Sequence, residues 1–268
     1  MAQVEKTNSI RLALRDVVDG TVLWPLWVTL GWNDIRQRYR RSLLGPFWLT
    51  ASMAIMVVSL GVIYARIFKT DINDFLPFLC VGLLVWGFIS STLNEAGTLF
   101  IGSESYIKQV RLPFSLYVYR FVWSRLIIFA HNFVIYLGVL AYFRISPGIV
   151  VLEAIPGLLV VLLNALLVSL YVGMTSARFR DIPQIVASVV QIVFFVTPIM
   201  WKPEFLGERS YLIAINPFFH LIEVVRAPLL GHAPTLENCA AVAIVTIVNL
   251  LIASGFFVKY RPRIAYWV

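Results

Sequence analysis

Six stretches of this 268-residue chain run for eighteen residues or more without one Asp, Glu, Lys or Arg. They are Ser42 to Ala65, Phe75 to Asn94, Leu126 to Phe143, Ala154 to Ala177, Ile182 to Trp201 and Asn238 to Val258. A helix needs about 20 apolar residues to cross the hydrocarbon of a bilayer, because it rises about 1.5 Å per residue through a layer roughly 30 Å thick. Inside that layer every backbone N–H and C=O must be bonded within the segment, so runs of this length point to helices. With 60% apolar residues, 13% charged residues and a mean hydropathy of +0.83, a water-soluble fold would carry more apolar surface than it could hide. A further apolar run, Ser210 to Ile222, is broken by Asn216 and Pro217 and is too short to span. It reads as a re-entrant or interfacial piece.

The expected fold class is therefore an all-α integral membrane protein. It has six transmembrane helices, an N-terminal amphipathic interfacial helix and short re-entrant helices in an outer loop. The whole chain, 1–268, reads as one transmembrane domain, with a cytoplasmic and interfacial segment over 1–41, spans over 42–258 and a cytoplasmic tail over 259–268. An even number of spans puts both termini on one side, and the basic residues say which. Lys6, Arg11, Arg15, Arg36, Arg38, Arg40, Arg41, Lys108, Arg111, Arg178, Arg180, Lys259, Arg261 and Arg263 fall on the side of the termini. The other side holds Arg66, Lys69, Arg144, Lys202, Arg209 and Arg226, diluted by Asp71, Asp74, Glu153, Glu204, Glu208, Glu223 and Glu237. Both termini are expected in the cytoplasm. The same pattern accounts for the net charge of +8 without nucleic acid, because the basic residues lie between apolar runs and form no separate domain. Arg120 and Arg125, just before the third run, are expected to reach the headgroups with their long side chains. No signal peptide is expected, since Glu5, Arg11, Arg15, Asp16 and Asp19 interrupt any apolar core, and the mature chain is expected to begin near Met1.

Three connections carry the chemistry. Residues 22–41 mix Trp24, Trp27, Trp32 and Tyr39 with Arg36, Arg38, Arg40 and Arg41, the make-up of a helix lying at an interface; plain anchoring and gating both fit. The polar stretch 95–113 is long enough for a short helix parallel to the membrane, a handle for a soluble partner. The outer loop from Lys202 to Glu237 is too small for a binding domain but large enough to cap a pore.

Catalytic and energy-coupling motifs do not emerge. Gly82 to Gly87 and Gly97 to Gly102 have the glycine spacing of a phosphate loop, but Phe88 and Ser103 follow where Lys and Ser or Thr belong. His131, His220 and His232 are scattered, Cys80 and Cys239 lie in apolar runs, and no metal-ligand spacing arises. No cofactor is expected in this chain. Glu95 adjoins a span with no evident role and reads as interfacial. Aromatic residues are numerous in and near the spans, and ring faces pack on the apolar faces of sugars without fixing a register. Tyr64, Trp86, Phe88 and Trp123 are candidates for lining a conduit; contact with lipid is the alternative.

The stretch Asn33-Asp34-Ile35-Arg36-Gln37-Arg38-Tyr39-Arg40-Arg41-Ser42-Leu43-Leu44-Gly45-Pro46-Phe47-Trp48 resembles the start of the membrane subunits of ABC transporters that export O-antigen and related polysaccharides. Tyr106 to Pro113, Phe179-Arg180-Asp181-Ile182, Thr197-Pro198-Ile199, and Asn216-Pro217 with Arg226 follow in that family's order, so the likeness runs from about Leu30 to Tyr260. The resemblance implies a bacterial inner-membrane homodimer working with two copies of a cytoplasmic ATP-binding subunit that carries the ATP and Mg. It implies a substrate and gate segment at Arg36, Arg38, Tyr39, Arg40, Arg41 and Trp48, and an ATPase-coupling segment at Glu104, Tyr106, Lys108 and Arg111. The cargo it implies is a polysaccharide on undecaprenyl diphosphate, whose charge the arginines would hold through paired hydrogen bonds. An ABC exporter of teichoic acid, capsule, lipid or drug is the alternative within that architecture. A membrane-embedded glycosyl or lipid-processing enzyme would need clustered acidic residues at one membrane face, which the sequence lacks.

Overall fold

The computed structural model of the chain describes residues 2–40 and 47–268. All regular structure among them is helical: α1 (Ala2–Val22), α2 (Trp24–Arg38), α3 (Phe47–Ile67), α4 (Ile72–Ala96), α5 (Glu104–Gln109), α6 (Phe114–Phe143), α7 (Ala154–Arg178), α8 (Ile182–Val196), α9 (Tyr211–Ala214), α10 (Pro217–Leu229), α11 (Leu236–Tyr260) and α12 (Ile264–Trp267). Among the described residues five helices are long and apolar enough to cross a membrane, namely α3, α4, α6, α7 with the turn before it, and α11 with its continuation through α12.

The charge-free runs locate these helices, but their ends obey local chemistry. Helix α6 starts at Phe114, well before the expected Leu126, because Pro113 takes φ −57° and ψ 136° and starts the turn. Asp16 then accepts from the otherwise unbonded backbone N–H groups of Phe114 and Ser115 at 3.2 and 3.0 Å. A carboxylate there also meets the positive end of the helix dipole. Helix α8 ends early, at Val196, because Pro198 lacks an N–H and Thr197 before it is extended, with φ −88° and ψ 133°. At fifteen residues it is about 22 Å long, short of a full crossing. Its missing turn is replaced by bonds to α10: Asn216 Nδ2 donates to Thr197 Oγ1 at 2.9 Å and Arg226 Nη1 to the Pro198 carbonyl at 3.0 Å. The apolar run at Ser210 to Ile222 divides into α9 and α10, since Asn216 caps α10 by accepting from Phe218 N at 3.0 Å and Phe219 N at 3.4 Å. At the N-terminus a second helix precedes the expected interfacial one; α1 and α2 are separated by a turn at Leu23, two residues before Pro25.

Helix α4 is the hub. Phe75, Leu79, Cys80, Val81, Val85 and Trp86 are buried along it, and α3, α6, α7, α8 and α10 pack around it. In lipid such burial contributes close packing rather than escape from water, so small residues at crossings matter. At Gly157 an added Cβ would lie 2.2 Å from the Val224 carbonyl oxygen, which fixes how closely α7 approaches α10. Helices α7 and α11 are further joined by side-chain amides: Asn164 Nδ2 donates to Thr246 at 2.8 Å, Asn249 Nδ2 to Asn164 at 2.8 Å, and the Tyr171 hydroxyl to Asn249 at 3.2 Å.

One end of the bundle gathers the basic segments. Gly97 after α4 abuts Pro183 of α8 and Ser176 of α7. Asp16 of α1 joins the start of α6 to Arg261 after α11 through a 2.7 Å ion pair. At the other end Gly231 packs on Pro147, and the Tyr136 hydroxyl donates to the Leu229 carbonyl at 2.5 Å.

Candidate functional site

Two arginines inside the first four turns of a membrane helix need partners, because an unpaired charge there is costly. Arg120 and Arg125 of α6 do not reach outward to headgroups, as position alone suggests, but turn inward. Arg120 meets Asp34 of α2 through two parallel bonds, Nε to Oδ2 at 2.7 Å and Nη2 to Oδ1 at 2.5 Å. Arg125 donates from Nη1 to Glu95 Oε1 at 2.5 Å, near the end of α4. The other oxygen of Glu95 accepts from Arg38 Nη2 of α2 at 2.9 Å. These pairs pin α2 against α4 and α6. Close approach is possible because residue 31 is glycine: a Cβ there would come within 2.8 Å of the Trp123 ring and 3.0 Å of the Arg120 carbonyl.

The pairs line a cavity of about 480 Å³ at the basic end of the bundle, bounded by Asp34, Arg38, Glu95, Tyr117, Arg120 and Arg125, with Gly102 and Ser103 on its floor. Three guanidiniums face two carboxylates, so the cavity carries one excess positive charge. Asp34, Glu95, Arg120 and Arg125 are not expected as site residues from sequence, and Tyr117 is expected only as one of many aromatics that could line a conduit. Their sequence signal is weak, since each looks like an ordinary flank of a span until its partner is known.

Among the expected gate residues, Arg38 enters the cavity. Arg36 and Arg40 are exposed beside it, and Tyr39 sits half-buried at the end of α2, where burial raises its phenol above the ordinary value. Trp48 is exposed at the start of α3, and Arg41 lies outside the described residues. The expected coupling segment forms α5 and its exit. Lys108 Nζ donates to Glu104 Oε1 at 2.6 Å, a bond that holds the Glu104 carboxyl below the ordinary carboxylate value. Arg111 is exposed beyond the helix. Tyr106 is 48% exposed, and the Arg120 guanidinium lies 5.6 Å from its ring centroid, so α5 meets a cavity arginine through that ring.

The conduit aromatics are not brought together. Trp86 packs against Phe194 and Phe218, and Phe88 against Phe129; both rings are buried inside the chain. Trp123 meets Trp27 edge-on beside α2, and Tyr64 stacks on Phe68 toward the other end.

That other end has a cavity of about 590 Å³ lined by Asp74, Lys202, Glu204, Glu223, Arg226 and His232. Arg226 is 0% exposed. Glu223, the Pro198 carbonyl and the Phe78 ring 3.8 Å away occupy its guanidinium, so it braces α10 against α4 and α8. Among the described residues no His, Cys, Asp and Glu cluster could hold a metal.

The ABC-2 type transporter family matches residues 25–230, a segment that contains every residue of the basic-end cavity. The chain is also similar to the O-antigen export system permease protein RfbA of Myxococcus xanthus, with 26% identity over 90% of this chain and 94% of that protein. Two proteins from Klebsiella pneumoniae, also described as O-antigen export system permease protein RfbA, are each 22% identical over 91% of this chain and 95% of their own length.

Proposed function

The chain belongs to the ABC-2 type transporter family, and on that footing we propose that it is the permease subunit of an ATP-driven exporter of O-antigen-type polysaccharide. As the membrane subunit of a transporter it is not an enzyme, and its family implies a separate ATP-binding subunit that supplies the work. The cargo is read as a glycan on undecaprenyl diphosphate, taken from the cytoplasmic leaflet of a bacterial inner membrane and delivered outward.

The observation that carries this reading is the arginine-lined cavity beneath α2, with Arg38, Arg120 and Arg125 converging at the basic end. Guanidinium forks suit phosphoryl oxygens, and a cavity between an interfacial helix and two spans opens where a lipid headgroup would lie. The similarity over nearly the full length of three O-antigen export permeases supports the cargo class. We read α8, completed by Thr197 to Trp201, as the sixth span, α10 as a piece re-entering from outside, and the whole chain as one transmembrane domain with both termini in the cytoplasm. Two copies would form the conduit, and the exposed apolar faces of α3 and α8, with Ile55, Val58, Ile63, Ile185, Ile192 and Phe195, are available for that contact or for lipid. Two copies of the ATP-binding subunit, bearing ATP and Mg, would dock on Glu104, Lys108 and Arg111.

Deleting the gene in its native host tests the reading. Diphosphate-linked polysaccharide should accumulate on the cytoplasmic face and disappear from the cell surface, and the intact gene should restore it. Normal surface polysaccharide in the deletion strain would refute the assignment.

A further inference from the structure

Glu95 divides its carboxylate between two arginines, and neither is fully served. One oxygen takes Arg125 Nη1 at 2.5 Å and the other takes Arg38 Nη2 at 2.9 Å. Arg120, by contrast, is engaged by both oxygens of Asp34. A guanidinium presents its donors as a planar fork that one anion can fill with two oxygens. Arg125 is therefore half used: its Nε is buried with no hydrogen-bond partner, on a residue only 7% exposed. The Tyr117 hydroxyl is in the same condition, buried and without a partner on a residue 3% exposed. Both residues line the basic-end cavity. A buried donor left unbonded is destabilising, and a ligand bringing acceptors would remove that cost. The unmet groups of both arginine and tyrosine are donors, and the cavity has one excess positive charge, so the missing ligand is an anion rich in acceptor oxygens.

We propose that this cavity is a phosphoryl-binding subsite in which Glu95 is a built-in competitor, displaced when a phosphate group takes Arg125 through Nε and Nη together and Arg38 alongside. The Asp34–Arg120 pair stays in place and keeps α2 seated. Tyr117 lies eight residues before Arg125, about 12 Å along the helix axis, so its hydroxyl meets the polar group that follows the phosphoryl. Displacing Glu95 exchanges the direct Arg38–Glu95 tie between α2 and α4 for one through the anion, which would bridge Arg38 of α2 to Arg125 of α6. The phosphoryl could come from a lipid headgroup or from a free phosphate; its assignment to the lipid rests on the export reading above.

The test uses the full chain in nanodiscs of neutral lipid, with inorganic pyrophosphate and a polyprenyl diphosphate as separate probes. Glu95→Gln keeps the shape and removes the competing charge, and pyrophosphate should bind about tenfold tighter. In Glu95→Gln combined with Arg125→Gln, which leaves no unpaired buried charge, that gain should vanish. Unchanged or weaker pyrophosphate binding in Glu95→Gln overturns the subsite. If polyprenyl diphosphate binds the natural chain and both variants equally, the subsite falls while the export reading stands. If pyrophosphate follows the expected series and polyprenyl diphosphate binds none of the three, the subsite stands with a free phosphate as its ligand and the lipid-linked cargo fails.

Discussion

Asp16 shows how a single side chain ties the basic end together. It is 2% exposed, caps α6 through the N–H groups of Phe114 and Ser115, and pairs with Arg261 across 245 residues of sequence. Replacing it with Ala removes the cap and leaves Arg261 without that partner. The expected loss is roughly 1–3 kcal/mol, seen as a lower melting temperature of the purified protein in detergent. Asp16→Asn, which keeps an acceptor for the helix end, should recover part of it; equal stability of the Ala variant would contradict the capping role. Residues of this kind were hard to read from sequence, because a charge is judged there by its distance from an apolar run. Position suggested that Arg120 and Arg125 reach for headgroups, whereas Asp34 and Glu95, 86 and 30 residues away, draw them inward. Arg38, which lines the cavity, stands out more readily because basic and aromatic residues cluster within a few positions of it.

At the scale of elements, apolar length located α3, α4, α7 and α11 nearly to their ends, since only a helix satisfies its own backbone in lipid. It failed where capping and proline decide instead. Helix α6 gains three turns before its apolar run, and α8 loses its last turn to Pro198. Aromatic counting carries no direction: Trp86 and Phe88 satisfy the same composition rule as a conduit lining and are buried on α4 against Phe194, Phe218 and Phe129. The short helix α5 was expected and occurs, and Tyr106 connects it to Arg120. A push on α5 from a docked ATP-binding subunit would therefore reach the cavity through one ring. Lys108→Glu with Arg111→Glu should lower transport several-fold at unchanged yield of folded permease, while ATP hydrolysis by the partner persists. The ratio of transport to ATP hydrolysis in the reconstituted complex checks this, and an unaltered ratio would remove α5 from the coupling path.

For the molecule as a whole, the parts form a directional arrangement. The cavity, α5 and the basic tail share one end, where α1 and α2 lie across the spans. At the opposite end α10 is braced through the fully buried Arg226 on α4 and the turn after α8. At that end Glu223 takes up the Arg226 charge, while Asp74, Lys202 and Glu204 line the second cavity. The most direct measurement places the purified chain with its cognate ATP-binding subunit in proteoliposomes and follows lipid-linked polysaccharide between leaflets. Transfer should require both subunits and hydrolysable ATP; transfer by this chain without nucleotide, or none from the hydrolysing complex, would contradict its role as a permease driven by a separate ATPase.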